Sequence, residues 1–263
     1  MPAVPRTVTL LRRAALLAAA LAAVGGARRA AHPPVRAIIA RFVAARGGID
    51  RLRAVRTLRM VGTMAFGDGP PRPARVELAR PARVRTEITM TTGTLVQAFD
   101  GCTAWMIEPG RDDGAARVLD AGTAKNVAAG ADIDGPLVDA ARKGNRVTFA
   151  GIDTAGGRPA WALRVVRPDS TVDIYDIDTV SYRQTKWAGQ RTVNGHPVVY
   201  ESYFHDYRAV RGVLLPFRID SRTRGRPGGQ RIVFDSIAVN PPLPNAVFAF
   251  PGGAPAAPCV ATR

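Results

Sequence analysis

The sequence predicts a mainly β protein: about eleven antiparallel strands, one leading helix and one helical insert near mid-chain. Three observations carry this. From residue 57 onward apolar side chains recur at every second position, the period of a half-buried strand. Short turn signals such as Gly-Asp-Gly-Pro-Pro and Asp-Gly separate these runs. No strand–helix–strand rhythm appears, which argues against a doubly wound nucleotide-binding domain.

Residues 33–55, PPVRAIIARFVAARGGIDRLRAV, read as a helix, a break and a short helix. Val35, Ile38, Ile39, Phe42 and Val43 form one apolar stripe at helical spacing. Pro34 suits a first turn, and Gly47-Gly48 ends the helix. A lone helix of this length is marginal, so the stripe must cover another apolar surface.

Residues 57–108 then read as a meander of about five strands. Leu58, Met60, Met64 and Phe66 share one face of the first, and Val84, Thr86, Ile88 and Met90 one face of the third. Asp100-Gly101 favours a tight hairpin turn between the last two. Residues 109–145 break the pattern with alanine and small polar residues, read as two short helices anchored by Leu137 and Val138. Such an insert could act as a lid or as a static plug. The β pattern resumes at residue 146 and closes on NPPLPNAVFAFP, where Val247 and Phe248 are the expected clasps.

The chain opens with Arg6, Arg12 and Arg13 ahead of AALLAAALAAV and the small residues Gly25, Gly26 and Ala27. This is the pattern of a secretory signal peptide, with cleavage expected after Ala27. The apolar run is shorter than the roughly 20 residues a membrane span needs. Export permits a disulfide between Cys102 and Cys259, with two free thiols as the alternative.

The formal charge is +16, yet only three of the 37 basic residues are lysines. No compact basic cluster interleaved with aromatics appears, so no nucleic-acid partner is expected. The three histidines, His32, His196 and His205, are scattered, and there is no HExxH or CxxC, so no metal and no cofactor are expected. No GxSxG elbow occurs. His205 and Asp206 are adjacent in a strand and point to opposite faces unless a bulge turns one of them, so they read as sheet architecture. Asp173, Asp176 and Asp178 punctuate a later strand and are expected to face water. The protein is therefore read as not an enzyme.

The apolar side says more. Met60, Met64, Met90 and Met106 all fall in the first meander, beside Phe66, Phe99 and Trp105. Methionine fills irregular space and adapts to variable partners. A large curved sheet offers more inner face than two short helical elements fill, and an unfilled apolar face holds apolar ligands. The expected lipid-binding cavity is lined by Met60, Met64, Ile88, Phe99 and Trp105, and closed by the leading helix or the 109–145 insert.

Several pieces, in this order, carry a family resemblance: RFVAARGGIDRLRAVRTLRMVGTM (41–64), VQAFDGCTAWMIEP (96–109), ADIDGPLVDAARKG (131–144), ESYFHDYRAVRGVLLPFRI (201–219) and IAVNPPLPNAVFAFP (237–251). Over nearly the whole mature chain the sequence resembles the outer-membrane lipoprotein-sorting proteins, the periplasmic lipoprotein-carrier superfamily. The resemblance implies an unclosed antiparallel β-barrel of about 11 strands with covering helices around an apolar cavity. It implies periplasmic residence, lipid or lipoprotein acyl chains as partners, and transient membrane contact. Arg59 and Arg83 are the candidate polar contacts. The domain reading is then a signal peptide at 1–27, an N-terminal helical segment at 28–56, a half-barrel at 57–251 with the insert 109–145, and a loose tail at 252–263. The alternative is an envelope-sensing module that binds a partner protein without transporting lipid.

Overall fold

The computed structural model describes residues 32–155, 157–193 and 196–253, with the backbone alone at Asp112, Ala155, Thr192 and Val193. The expected signal peptide and the residues Asn194, Gly195 and Cys259 lie outside the described residues. The chain divides into a segment Met1–Pro34 and a body Val35–Arg263, and the body holds the whole sheet and its helical cover.

Thirteen strands form one sheet in the order β6-β5-β4-β3-β2-β1-β13-β12-β11-β10-β9-β8-β7, every neighbour antiparallel. The strands are β1 (Thr57–Phe66), β2 (Arg72–Ala79), β3 (Arg83–Met90), β4 (Gly93–Phe99), β5 (Ala104–Ile107), β6 (Arg117–Val118), β7 (Arg146–Ala155), β8 (Arg158–Val166), β9 (Val172–Asp178), β10 (Gln184–Val193), β11 (His196–Val210), β12 (Val213–Thr223) and β13 (Gln230–Val239). The order is two meanders joined where the last strand pairs with the first. β6 and β7 are free edges, so the sheet is not closed into a barrel.

Alternation assigns the faces. Leu58, Met60, Gly62 and Met64 of β1 stand opposite Leu78, Val76 and Ala74 of β2, and opposite Val239, Ile237, Phe234 and Ile232 of β13. This apolar set continues through Val84 and Ile88 to Phe99, and on the other flank through Phe217, Tyr175 and Leu163, as one core. A single register slip would turn the whole set to the other face, so burial of one face fixes the register.

Two helices cover that core. In α1 (Val35–Ala45) the stripe buries Ile38 and Phe42, and in α2 (Ile49–Ala54) it buries Leu52. Each such side chain stabilises by roughly 1.5–3 kcal/mol through burial. Gly48 N–H reaches back to Val43 O at 3.0 Å and Gly47 to Ala44 O at 3.0 Å, which closes the last turn of α1. Gly47 has φ +112°, and a Cβ there would lie 2.1 Å from Gly212 O in the β11–β12 turn. Only glycine lets the helix end dock on that turn, where Leu214 N–H also bonds Arg46 O at 3.0 Å.

Within the insert the structure has a three-residue 3-10 turn, Asp112–Gly114, and one α-helix, α3 (Ala121–Gly130). Residues 131–145 turn repeatedly, because Gly135, Asp139 and Gly144 all have positive φ. Leu137 and Val138 do anchor it, at 1% and 0% exposure. Pro216 sits in the half of β12 that pairs with β11 alone; pairing with β13 begins at Arg218, so its missing donor costs no bond on that side.

Candidate functional site: the concave apolar face

Four of the five expected lining residues share one face. Met64, Ile88 and Phe99 are buried there, and Met60 is half-buried and packs against them. Ile38, Leu52, Leu137 and Val138 belong to the same continuous core, so the face is filled by the protein's own cover. Two cavities are described, of about 390 Å³ beside Thr94, Pro109 and Gly110 and about 290 Å³ beside Tyr203, His205 and Arg222; none of the five residues lines either.

Trp105 is not with them. It pairs with Ala98 in register, so it points to the convex face, where it forms a separate cluster with Val96 and Ala98. There the C-terminal segment covers it. Its Nε1 donates to Phe248 O at 2.9 Å, its ring meets Phe250 edge-on at 6.1 Å, and the Arg85 guanidinium lies over it at 5.4 Å. Arg59 and Arg83 also avoid the concave face. Arg59 donates to buried Glu77 at 2.7 Å, and Arg83 donates to Asn245 Oδ1 at 2.6 Å and Asp100 O at 3.2 Å. Sequence periodicity placed the β1–β4 residues well, but the face of the four-residue strand β5 follows from its register with β4, which sequence does not print.

The cover over this face is a weak element. α3 carries Ala, Gly, Thr and Asn and buries only Ala124 and Ala128. Its start is fixed by Asp120, whose carboxylate accepts from Gly122 N and Thr123 N at 3.0 Å each and from Thr123 Oγ1 at 2.6 Å. The Thr123 hydroxyl bond holds the Asp120 pKa below its ordinary value. Such a cap stabilises by about 1 kcal/mol. α3 touches β3, β4 and β5 on one flank and β10 on the other, so it bridges the open side of the curved sheet. The segment behind it is held firmly. Arg80 donates to both oxygens of buried Asp134 at 2.8 and 2.6 Å, and to Val55 O and Leu52 O at the end of α2 at 2.6 and 3.0 Å.

The three aspartates of β9 correct an expectation: Asp173, Asp176 and Asp178 are all buried. Asp178 caps the following turn, accepting from Ser181 N at 2.6 Å and Val180 N at 3.1 Å. Asp173 shares the concave face with Tyr175 and lies between two arginines, Arg167 Nε at 3.2 Å and Arg191 Nη2 at 2.9 Å. Asp176 faces the convex side, where Lys186 Nζ lies 3.7 Å from it, 2.9 Å from Asp153 and 4.0 Å from Glu201. Neither oxygen of Asp176 has a hydrogen-bond partner, and burial pushes its pKa up to about 7 against the pull of Lys186.

That shift sets a pH dependence. A group whose folded pKa is raised adds stability below its unfolded pKa and loses it as pH climbs through the folded value, here from about pH 4 to about 7. Asp176→Asn copies the neutral acid. We expect it to match the wild type near pH 3.5, below the unfolded pKa, and to exceed it at pH 8 by about 1–2 kcal/mol in urea unfolding. Equal stability at pH 8 would remove the buried-acid account.

His205 and Asp206 do not pair. The β11–β12 register skips Asp206, whose φ is +50°, and its carboxylate accepts from Arg208 at 2.6 and 3.0 Å. His205 Nε2 is 3.4 Å from Asp220, and burial, aided by Arg218, lowers its pKa.

No family model matches the sequence, and no curated protein does. Solved structures share the fold. A domain described as an outer membrane lipoprotein-sorting protein from Vibrio parahaemolyticus aligns at TM-score 0.56 and 11% identity, over 81% of this chain and 94% of its own. A LolA superfamily protein from Nitrosomonas europaea aligns at 0.55 and 12%, over 83% and 98%. A DUF1329 family protein from Desulfovibrio piger aligns at 0.57 and 10%, over 82% and 98%. The class is thus an open half-barrel with a helical cover. Its particular fold is that of the lipoprotein-sorting and LolA-superfamily proteins.

Proposed function

We propose that this protein is a periplasmic, non-catalytic carrier or binding protein for lipid or lipoprotein acyl chains. The observation that carries the reading is the position of α3, a short helix with few buried side chains that bridges both flanks of a continuous apolar face. Displacing α3 would open the face at β3 and β4, which carry Ile88 and Phe99, to an acyl chain, which would replace the contacts that the cover makes. The shared fold and the expected export signal support the same compartment and cargo class. Transient membrane contact follows from the need to load and release such a cargo.

Mass spectrometry of organic extracts from gently purified protein tests it. Wild type should release phospholipid or other acyl species. Ile88→Trp adds bulk where the chain would lie, and, in protein that urea unfolding shows to be folded, it should release much less. Absence of lipid, together with no uptake of added lipid or lipopeptide, would favour an envelope protein-interaction module.

A further inference from the structure

Most of the concave face is apolar, but its β8–β10 end carries a built polar cluster. Asp173 is fully buried, and the side chains of Arg167 and Arg191 are only 19% and 10% exposed. Arg167 donates from Nε to Asp173 Oδ2 at 3.2 Å and from Nη2 to Tyr175 OH at 3.3 Å. Arg191 lies over the Trp187 ring at 5.0 Å, and its Nη1 donates to Gln190 O at 2.8 Å. Burial and Asp173 push the Tyr175 pKa up, so its hydroxyl stays neutral.

The charges do not balance. Two guanidiniums share the Asp173 carboxylate, and Asp169 acts on Arg167 as a second one, so the uncompensated share of positive charge falls on Arg191. Arg191 Nη2 lies 2.9 Å from Asp173 Oδ1 as an ion pair, so the one carboxylate is divided between the two guanidiniums. The backbone is shaped to the cluster: a Cβ at Gly189 would stand 2.3 Å from Asp173 Oδ1 and 2.8 Å from Arg191 Nη1. The cluster also lies beside the cover. β10 is one of the strands α3 touches, and Lys125 of α3 acts electrostatically on Asp169, which also feels Arg167. Buried ion groups seldom repay their desolvation by stability alone. Arginine forks suit carboxylate and phosphate oxygens.

We propose that Arg191 and Arg167 form the receptor for an oxyanion head group, carboxylate or phosphate, on the amphiphile whose chain the concave face takes. This rests on the acyl-binding reading and goes beyond it by naming the head. A ligand oxyanion beside Arg191 completes the charge balance as α3 closes over the chain.

The experiment compares dodecanoate, dodecyl phosphate and methyl dodecanoate on the whole protein, with unfolding followed in parallel. Both anionic probes should bind wild type about tenfold tighter than the ester. Arg191→Gln should bring the three within about twofold, and Arg191→Lys should keep most of the preference. If Arg191→Gln does not fold, Arg167→Gln must show the same collapse of preference. Inorganic phosphate at millimolar concentration should not displace dodecanoate; displacement would make the site a free-phosphate site and overturn the lipid-head assignment. Equal binding of acid and ester by wild type, or an unchanged preference in a folded Arg191→Gln protein, would overturn the proposal while leaving the carrier reading intact. Failure of all three probes to bind would overturn both.

Discussion

Arg80→Ala should destabilise the protein by about 3–5 kcal/mol. The substitution leaves the Asp134 carboxylate buried without its guanidinium, and removing one partner of a buried pair costs far more than the pair contributes. It also removes the Arg80 donors from Val55 O and from Leu52 O, which keeps only its 3.2 Å bond from Val55 N–H, at the end of α2. The loss falls on the junction between the sheet, the leading helices and the segment after α3. Arg80 is therefore the fixed end against which a moving α3 would work. Urea unfolding checks the size. A change below about 1 kcal/mol would mean that Asp134 finds water or another cation, and that the junction is looser than its four bonds imply.

Trp105→Ala should cost a similar amount, about 3–5 kcal/mol, as large-to-small changes in packed sites do. Trp105 is 0% exposed, and the substitution removes its Nε1 bond to Phe248 O, its edge contact with Phe250 and its stack with Arg85. The C-terminal segment is expected to come away from the convex face, visible as faster proteolysis after residue 240. Because Trp105 lies across the sheet from Met60 and Ile88, acyl-ligand affinity at temperatures where the variant stays folded should change less than about threefold. Loss of ligand binding at full folding would mean that the convex cluster is part of the ligand site.

Particular residues show what the sequence made legible. The period-two runs located β1 to β4 because the alternate positions of each carry the large apolar side chains of one face, so Met60, Met64, Ile88 and Phe99 declared a common side, although β4 also buries Val96 and Ala98 on its other face. Leu137, Val138 and Phe248 stood out as large apolar residues in polar or proline-ruled stretches, and all three are buried. The charged groups were less legible. Asp173 and Asp176 look like solvent-facing acids in a strand, and what buries them comes from other strands and turns: Arg167 and Arg191 for one, Lys186 and Asp153 for the other. Groups 6 to 33 positions apart in sequence meet there only through the register of the sheet. Arg59 and Arg83 were chosen by resemblance, and their partners, Glu77 and Asn245, place them on the convex side. In the insert only α3 is a full helix; Asp112–Gly114 is a single 3-10 turn, and after α3 positive φ at Gly135, Asp139 and Gly144 keeps the chain in turns, of which only the two glycines advertise themselves.

The central claim is that an acyl chain enters the concave face by displacing the protein's own cover. Photolabelling tests it most directly: a fatty acid bearing a diazirine along its chain is bound, irradiated and mapped by peptide mass spectrometry. The account predicts labels on β1, β3 and β4 at or beside Met60, Met64, Ile88 and Phe99, and their loss in a folded Ile88→Trp protein. Labels confined to the convex side around Trp105 and Phe250, or labels that survive in Ile88→Trp, would contradict it.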